Sequence, residues 1–252
     1  MAAEWAGFKT VGQVEWGDFP TKVLAKHWPN VERWKDVRDF NATEFIQRTK
    51  TKQVTVLSGG FPCQPHSLAG LRKASADKRD LWPEYRRIIG EIKPEWVLAE
   101  NVRGLLTSED GRFFRGILRD LSELGYGVGW CTYPAAWVGA IHQRERIFTI
   151  ANRHRRAIQY VGIGGDNGTG RNIAKEWCED WHLFELGYGK VAPTEWRESG
   201  RGASRPLFCG KGDGVSDWLD RFKGLGNSVV PQQVYPILQA IADIENQHGG
   251  VS

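Results

Sequence analysis

Short apolar runs alternate along the first half of the chain with longer segments whose apolar positions return every three or four residues. Four runs are strand-like: TVGQVE at 10–15, QVTVL at 53–57, EWVLA at 95–99 and RIFTIA at 146–151. Between them, residues 20–27, 84–92 and 112–124 carry a helical period; in the last, Phe113, Ile117, Leu121 and Leu124 fall at helical spacing. Strand and helix in alternation predict βαβ units around a parallel sheet, an α/β architecture. In such sheets ligands bind beyond the carboxyl ends of the strands. The stretches that directly follow the first three runs are polar or cysteine-bearing, so chemistry is expected there.

The regular pattern stops between residues 152 and 217. VGIGGDNGTGRN is rich in glycine and asparagine and no clear period follows it, which predicts a small, irregular, loop-rich region. Arg153, His154, Arg155, Arg156 and Arg171 concentrate positive charge there, with Trp177, Trp181 and Trp196 further on. Order returns in GLGNSVVPQQVYPILQAIADIENQ, where Val230, Val234, Leu238 and Ile241 share one helical face. The expected organisation is an α/β domain over 1–151, a small region over 152–217, and a C-terminal segment over 218–252 that returns to the first domain.

Composition narrows the classes without choosing one. With 252 residues and 40% apolar content the chain can bury a sizeable core as one large α/β domain or two small ones. No apolar run approaches the roughly 20 residues of a membrane span, and MAAEWAGFKT lacks the features of a signal peptide. A cytoplasmic location without a membrane partner is the expectation. Cys63, Cys131, Cys178 and Cys209 form no C-x-x-C pair, which argues against a zinc site or a disulfide framework. The net charge of +4 is compatible with a polyanionic partner but does not require one.

The stretch SGGFPCQPHSLAG places Cys63 just past a predicted strand and a Gly-Gly pair that lets the backbone turn sharply or approach a ligand. A lone cysteine is more often a small buried apolar residue than a nucleophile. The neighbouring strand ends change that balance. EWVLAENVRGLL sets Glu100 and Asn101 straight after one strand, and HQRERIF supplies Arg144 and Arg146 on alternate positions, on one side if extended. A thiol, a carboxyl group and two arginines are together the tools for adding a nucleophile to an electron-poor ring.

These residues resemble a known family, the C5-cytosine DNA methyltransferases of prokaryotic or phage type. Gly60, Phe61, Pro62, Cys63 and Gln64 resemble its Pro-Cys-Gln nucleophile motif, and Glu100, Asn101 and Val102 its Glu-Asn-Val motif. Arg144, Glu145 and Arg146 resemble Gln-x-Arg-x-Arg, with His142 where the family has glutamine. Gly226, Asn227, Ser228 and Val229 resemble the late Gly-Asn-Ser/Ala-Val motif. The resemblance implies a Rossmann-like S-adenosylmethionine-dependent sheet with a small target-recognition subdomain. It implies attack of Cys63 on carbon 6 of a flipped-out cytosine, Glu100 on N3, Arg146 on O2 and Arg144 in support. Double-stranded DNA is the implied partner, with a cognate restriction endonuclease allowed beside it.

For the cofactor, Glu15 resembles the acid that binds the ribose hydroxyls, Trp16 a ring that stacks on adenine, and Asp36 and Val37 the pair at the adenine edge. Pro62, Asn227 and Ser228 join that set by motif match. The family's first motif, Phe-x-Gly-x-Gly-Gly, is not found before Glu15, so the sheet is expected to lack its first strand. Weak cofactor binding is then expected unless a second chain or an upstream start supplies the piece. Two alternatives stay open: a remnant that binds DNA without methylating it, and a tRNA cytosine-5 methyltransferase.

Overall fold

The computed structural model describes residues 1–62, 80–140, 144–154 and 229–247. Cys63, Asn227 and Ser228 lie outside the described residues, as does nearly all of the predicted irregular region, including Arg155, Arg156, Arg171, Trp177, Trp181 and Trp196. In chain order the elements are α1 (Ala2–Trp5), β1 (Gly12–Val14), α2 (Asp18–His27), β2 (Glu32–Trp34), α3 (Ala42–Thr49), β3 (Val56–Gly60) and α4 (Trp82–Ile92). They continue with β4 (Trp96–Val102), a 3-10 segment (Arg103–Gly111), α5 (Arg112–Glu123), β5 (Gly127–Pro134), a second 3-10 turn (Ala135–Val138), β6 (Glu145–Asn152) and α6 (Pro231–Gln247). Among the described residues no helix is long and apolar enough to cross a membrane.

Chain packing divides the protein into two compact units. Of the described residues, one comprises 1–33, 135–140 and 229–247; the other comprises 34–62, 80–134 and 144–154. In the first unit, Trp5 of α1 meets Tyr235 of α6 edge-on, with ring centroids 6.1 Å apart. Leu238 and Ile241 of α6 are buried as the apolar face predicts, Val234 is half-buried, and Val230 precedes the helix. The strand expected at 10–15 shortens to β1 and pairs with β2 in a separate two-stranded sheet, where Arg33 Nε donates to Gln13 Oε1 at 3.1 Å.

The second unit carries the main sheet, in the order β3-β4-β6-β5. Only β3 and β4 are parallel; β6 runs antiparallel to both β4 and β5. The sequence pattern predicts parallel strands because β5 is hidden in it: Gly127, Gly129 and Pro134 dilute its apolar pattern with poor strand formers. β4 is buried from Trp96 to Ala99, and a strand covered on both faces reads as the continuous apolar run EWVLA rather than an alternation.

Helices α4 and α5 build the core against the sheet. Pro83 in the first turn of α4 suits a position whose N–H has no helical partner, and Trp82, Tyr85, Ile88 and Ile89 form its buried stripe. Lys93 ends it in the left-handed region (φ 50°) and Pro94 prevents continuation. On α5, Phe114, Ile117, Leu118 and Leu121 are buried and join Val97, Ala99, Ile147 and Ala151 in one cluster. The stripe centres on Phe114 rather than the predicted Phe113, which is partly buried beside it.

Candidate active site

β3 and β4 end side by side, with Gly60 paired to Glu100. The Gly-Gly pair does not form a turn: Gly59 and Gly60 lie within β3, and neither has a positive φ. Their lack of side chains serves close packing instead. A Cβ on Gly59 would stand 3.2 Å from the Tyr85 ring, and one on Gly60 would stand 3.1 Å from Glu100 Oε2. The Tyr85 hydroxyl, 3.3 Å from the carbonyls of Leu57 and Leu98, ties α4 to both strands.

Glu100 and Asn101 were expected just after a strand; instead β4 continues through Val102 because β6 pairs with it to that point. Ladder pairing fixes the backbone of both residues and sends their side chains to opposite faces. Glu100 faces the side of Phe148 and Arg146, its direct and diagonal partners across the antiparallel ladder. Arg146 Nε meets Glu100 Oε1 at 2.9 Å, each side chain being only 15% exposed. Asn101, on the other face, is buried, and its Nδ2 donates to the carbonyl of Phe61 at 3.1 Å while its Oδ1 accepts from Val102 N–H at 2.8 Å. The residue two before Cys63 is thereby tethered to the strand that carries Glu100.

The antiparallel course of β6 brings these groups together. Its first residues, not its last, lie beside the carboxyl end of β4, so Arg146 meets Glu100. Arg144 departs from the extended alternation expected of it: its φ of 32° is left-handed, and β6 begins only at Glu145. Glu145 turns outward to Arg103, 2.8 Å away.

Burial pushes the Glu100 carboxyl above its ordinary range, opposed by the charges of Arg146 and Arg144. Burial lowers Arg144 in turn, helped by the like charge of Arg146 and opposed by Glu100. A carboxyl group raised in this way can hold its proton and donate to a ring nitrogen. The folded state binds the Glu100 proton more tightly than the unfolded state, so this group's contribution to stability is full below its unfolded pKa and is lost as pH rises through the folded value. Urea titrations from pH 4 upward are therefore expected to show wild type losing stability relative to Glu100→Gln as pH rises, and then levelling. A difference that grows in wild type's favour contradicts the sign.

Gly60 makes a second prediction. Because Arg146 holds Glu100, the carboxylate cannot readily yield to a side chain at position 60. Gly60→Val is expected to cost about 1–3 kcal/mol in urea denaturation, the range for overpacking. In the sequence Gly59 and Gly60 are only a glycine pair at the end of a strand; what they accommodate is not a sequence property.

The remaining candidates form two local groups. Gly17 N–H donates to Glu15 Oε1 at 2.7 Å, fixing the carboxylate just past β1, and the adjacent Trp16 is 68% exposed. A held carboxylate next to an open indole face fits a nucleoside: the acid takes paired hydroxyls and the ring stacks on a base. Asp36 and Val37 lie in the loop between β2 and α3, where Asp36 Oδ1 accepts from Arg38 N–H at 2.9 Å. Pro62 is exposed at the end of the described β3 loop.

Residues 1–176 match the family described as C-5 cytosine-specific DNA methylase. The chain belongs to this family. The match takes in Cys63, Glu100, Arg144 and Arg146. The chain is similar to the type II methyltransferase M.Sau96I of Staphylococcus aureus, 34% identical over 61% of the chain and 36% of the relative. It is also similar to the type II methyltransferase M.BsuFI of Bacillus subtilis, 42% identical over 56% of the chain and 38% of the relative. The matched stretch thus spans little more than a third of these methylases' length. The structure of the Entamoeba histolytica methyltransferase EhMeth shares the fold, with a TM-score of 0.58 over 94% of this chain and 99% of that one at 15% identity. The fold is a Rossmann-like methyltransferase α/β fold.

Proposed function

We propose that this methylase-family chain carries the catalytic centre of a DNA cytosine-5 methyltransferase. The reading rests on one arrangement: the Glu100 and Arg146 ion pair at the end of β4, on the strand from which Asn101 holds the residue two before Cys63. In this reading the Cys63 thiolate adds to carbon 6 of cytosine, the Glu100 carboxyl hydrogen-bonds N3 and the exocyclic amine, Arg146 holds O2 and Arg144 supports the pair. The addition raises electron density at carbon 5, which is otherwise too poor a nucleophile. Loss of the carbon 5 proton with expulsion of Cys63 then restores the ring.

S-adenosylmethionine, when bound, supplies a methyl group on a sulfonium as the electrophile. Glu15 would hold its ribose hydroxyls, Trp16 would stack on adenine, Asp36 and Val37 would meet the adenine edge, and Pro62, Asn227 and Ser228 would complete the site. A base buried in a duplex must leave the stack to reach these groups, at a cost of a few kcal/mol. The region from 152 to 217 is read as the target-recognition part. A cytoplasmic, restriction-modification setting with a cognate endonuclease belongs to the same proposal, supported by the two relatives named as type II methyltransferases.

The test reads the thiol addition itself. Without a methyl donor, the adduct's carbon 5 takes a solvent proton and the ring re-forms by losing either hydrogen, so tritium placed at carbon 5 escapes to water. The chain is expected to release tritium from duplex DNA and not from tRNA. Release no greater than that of Cys63→Ala rejects the enzyme reading in favour of DNA binding without methylation; release from tRNA alone assigns the substrate to RNA.

A further inference from the structure

The loop between β2 and α3, residues 35–41, is irregular, and one arginine holds its backbone. Arg87, on the second turn of α4, donates from Nη2 to the carbonyl of Val37 at 3.0 Å and from Nη1 to the carbonyl of Phe40 at 2.9 Å. Two carboxylates from the same helix aim the guanidinium: Glu84 Oε2 accepts from Nε at 2.8 Å and Glu91 Oε1 accepts from Nη1 at 2.7 Å. Glu91 contributes twice, because its Oε2 accepts from the Ala42 N–H that opens α3, at 3.2 Å.

The anchor itself is rigid. On either side of Arg87, Tyr85, Ile88 and Ile89 are buried in the core, so α4 cannot shift without disturbing the sheet. Within the loop, Asp39 N–H reaches the Asp36 carbonyl at 3.2 Å and Arg38 N–H reaches Asp36 Oδ1, so Asp36 moves with the backbone that Arg87 holds. Four bonds in three directions from one plane are within reach of a guanidinium and not of an ammonium.

We infer that Arg87 is a positioning residue for the adenine end of the cofactor: it fixes the Val37 and Phe40 carbonyls and through them sets Asp36 and Val37. This rests on the proposed reading of Asp36 and Val37 as adenine contacts. The substitution Arg87→Lys keeps a cation between Glu84 and Glu91 but cannot make both carbonyl bonds.

The full chain and its Arg87→Lys variant are compared by two measurements. Calorimetric titration with S-adenosylhomocysteine is expected to give a Kd raised about tenfold in the variant, the scale of one or two lost hydrogen bonds. Cofactor-independent tritium release from duplex DNA, which needs Cys63 and Glu100 but no methyl donor, is expected to stay within about twofold of wild type, since no bond of Arg87 reaches that end of β4. An unchanged Kd overturns the inference; so does a parallel loss of both readouts, which marks a merely structural role. If Arg87→Lys does not fold, Glu84→Gln, which keeps the guanidinium and loosens its hold, is measured in its place, and an unchanged Kd there overturns the inference too. A wild-type chain that releases tritium but binds no S-adenosylhomocysteine instead rejects the adenine-site reading beneath it.

Discussion

Replacing Cys63 with alanine is expected to lower tritium release from carbon 5 of cytosine in duplex DNA by more than about a thousandfold, because removing a covalent nucleophile removes the intermediate itself. The cysteine that does fall among the described residues, Cys131, sharpens this expectation. Cys131 lies in β5, where burial pushes its thiol up to about 12, so it stays protonated at neutral pH and cannot substitute. Cys178 and Cys209 fall beyond the stretch that matches the methylase family. Cys131→Ala is therefore expected to leave release within about twofold of wild type. The same comparison run as a covalent trap, with fluorine at carbon 5 of the target base, makes the contrast visible on a gel. Fluorine cannot leave as a proton does, so an adduct methylated at carbon 5 cannot eliminate Cys63. With S-adenosylmethionine present, wild type is expected to form a stable DNA-protein complex and Cys63→Ala none. A complex formed by the alanine variant would transfer the nucleophile's role to another residue.

The second large effect belongs to Arg146. Glu100 and Arg146 are each 15% exposed and meet at 2.9 Å, so removing one partner leaves the other charge buried without its direct ion-pair partner. Arg146→Met is expected to destabilise the fold by about 3 kcal/mol at pH 7 in urea denaturation. The Arg146→Met, Glu100→Gln double variant should recover much of that loss, because two neutral groups of similar volume carry no uncompensated charge; a coupling energy of about 1–3 kcal/mol is expected from the cycle. In Arg146→Met the Glu100 carboxyl rises further, since the larger of the two attractions that oppose its burial is gone and only that of Arg144 remains. The penalty should therefore shrink as pH falls and Glu100 takes up a proton, and grow as pH rises. A double variant as unstable as the sum of the singles would show that the pair does not act as a unit. All these variants are also expected to lose tritium release, which separates the pair's chemical role from the Gly60 and Arg87 effects.

Much of this site can be read along the chain. Cys63, Glu100, Arg144 and Arg146 stand at the ends of apolar runs, and the runs themselves coincide with β3, β4 and β6 to within a few residues. The helices predicted at 20–27, 84–92 and 112–124 correspond to α2, α4 and α5. β2, α3 and β5 were not apparent. β2 is only three residues long, α3 buries only Phe45 and is set by its Asn41 cap, and β5 begins and ends on residues that strands disfavour.

Periodicity and turn chemistry are local, so the sequence by itself determined which segments alternate as strand and helix and which reactive residues cluster at their ends. Pairing direction, close approach and tethering depend on residues far apart in the chain, and only the tertiary structure decided them. The reversal of β6 puts Arg146 diagonally across from Glu100, where a parallel strand would have brought its carboxyl end instead. Gly60 is there for the carboxylate lying over it, not for a turn. Asn101 reaches back 40 residues to Phe61, and Arg87 reaches back 50 to Val37. A strand's address and a loop's anchor are set by what folding brings alongside, which no local pattern encodes.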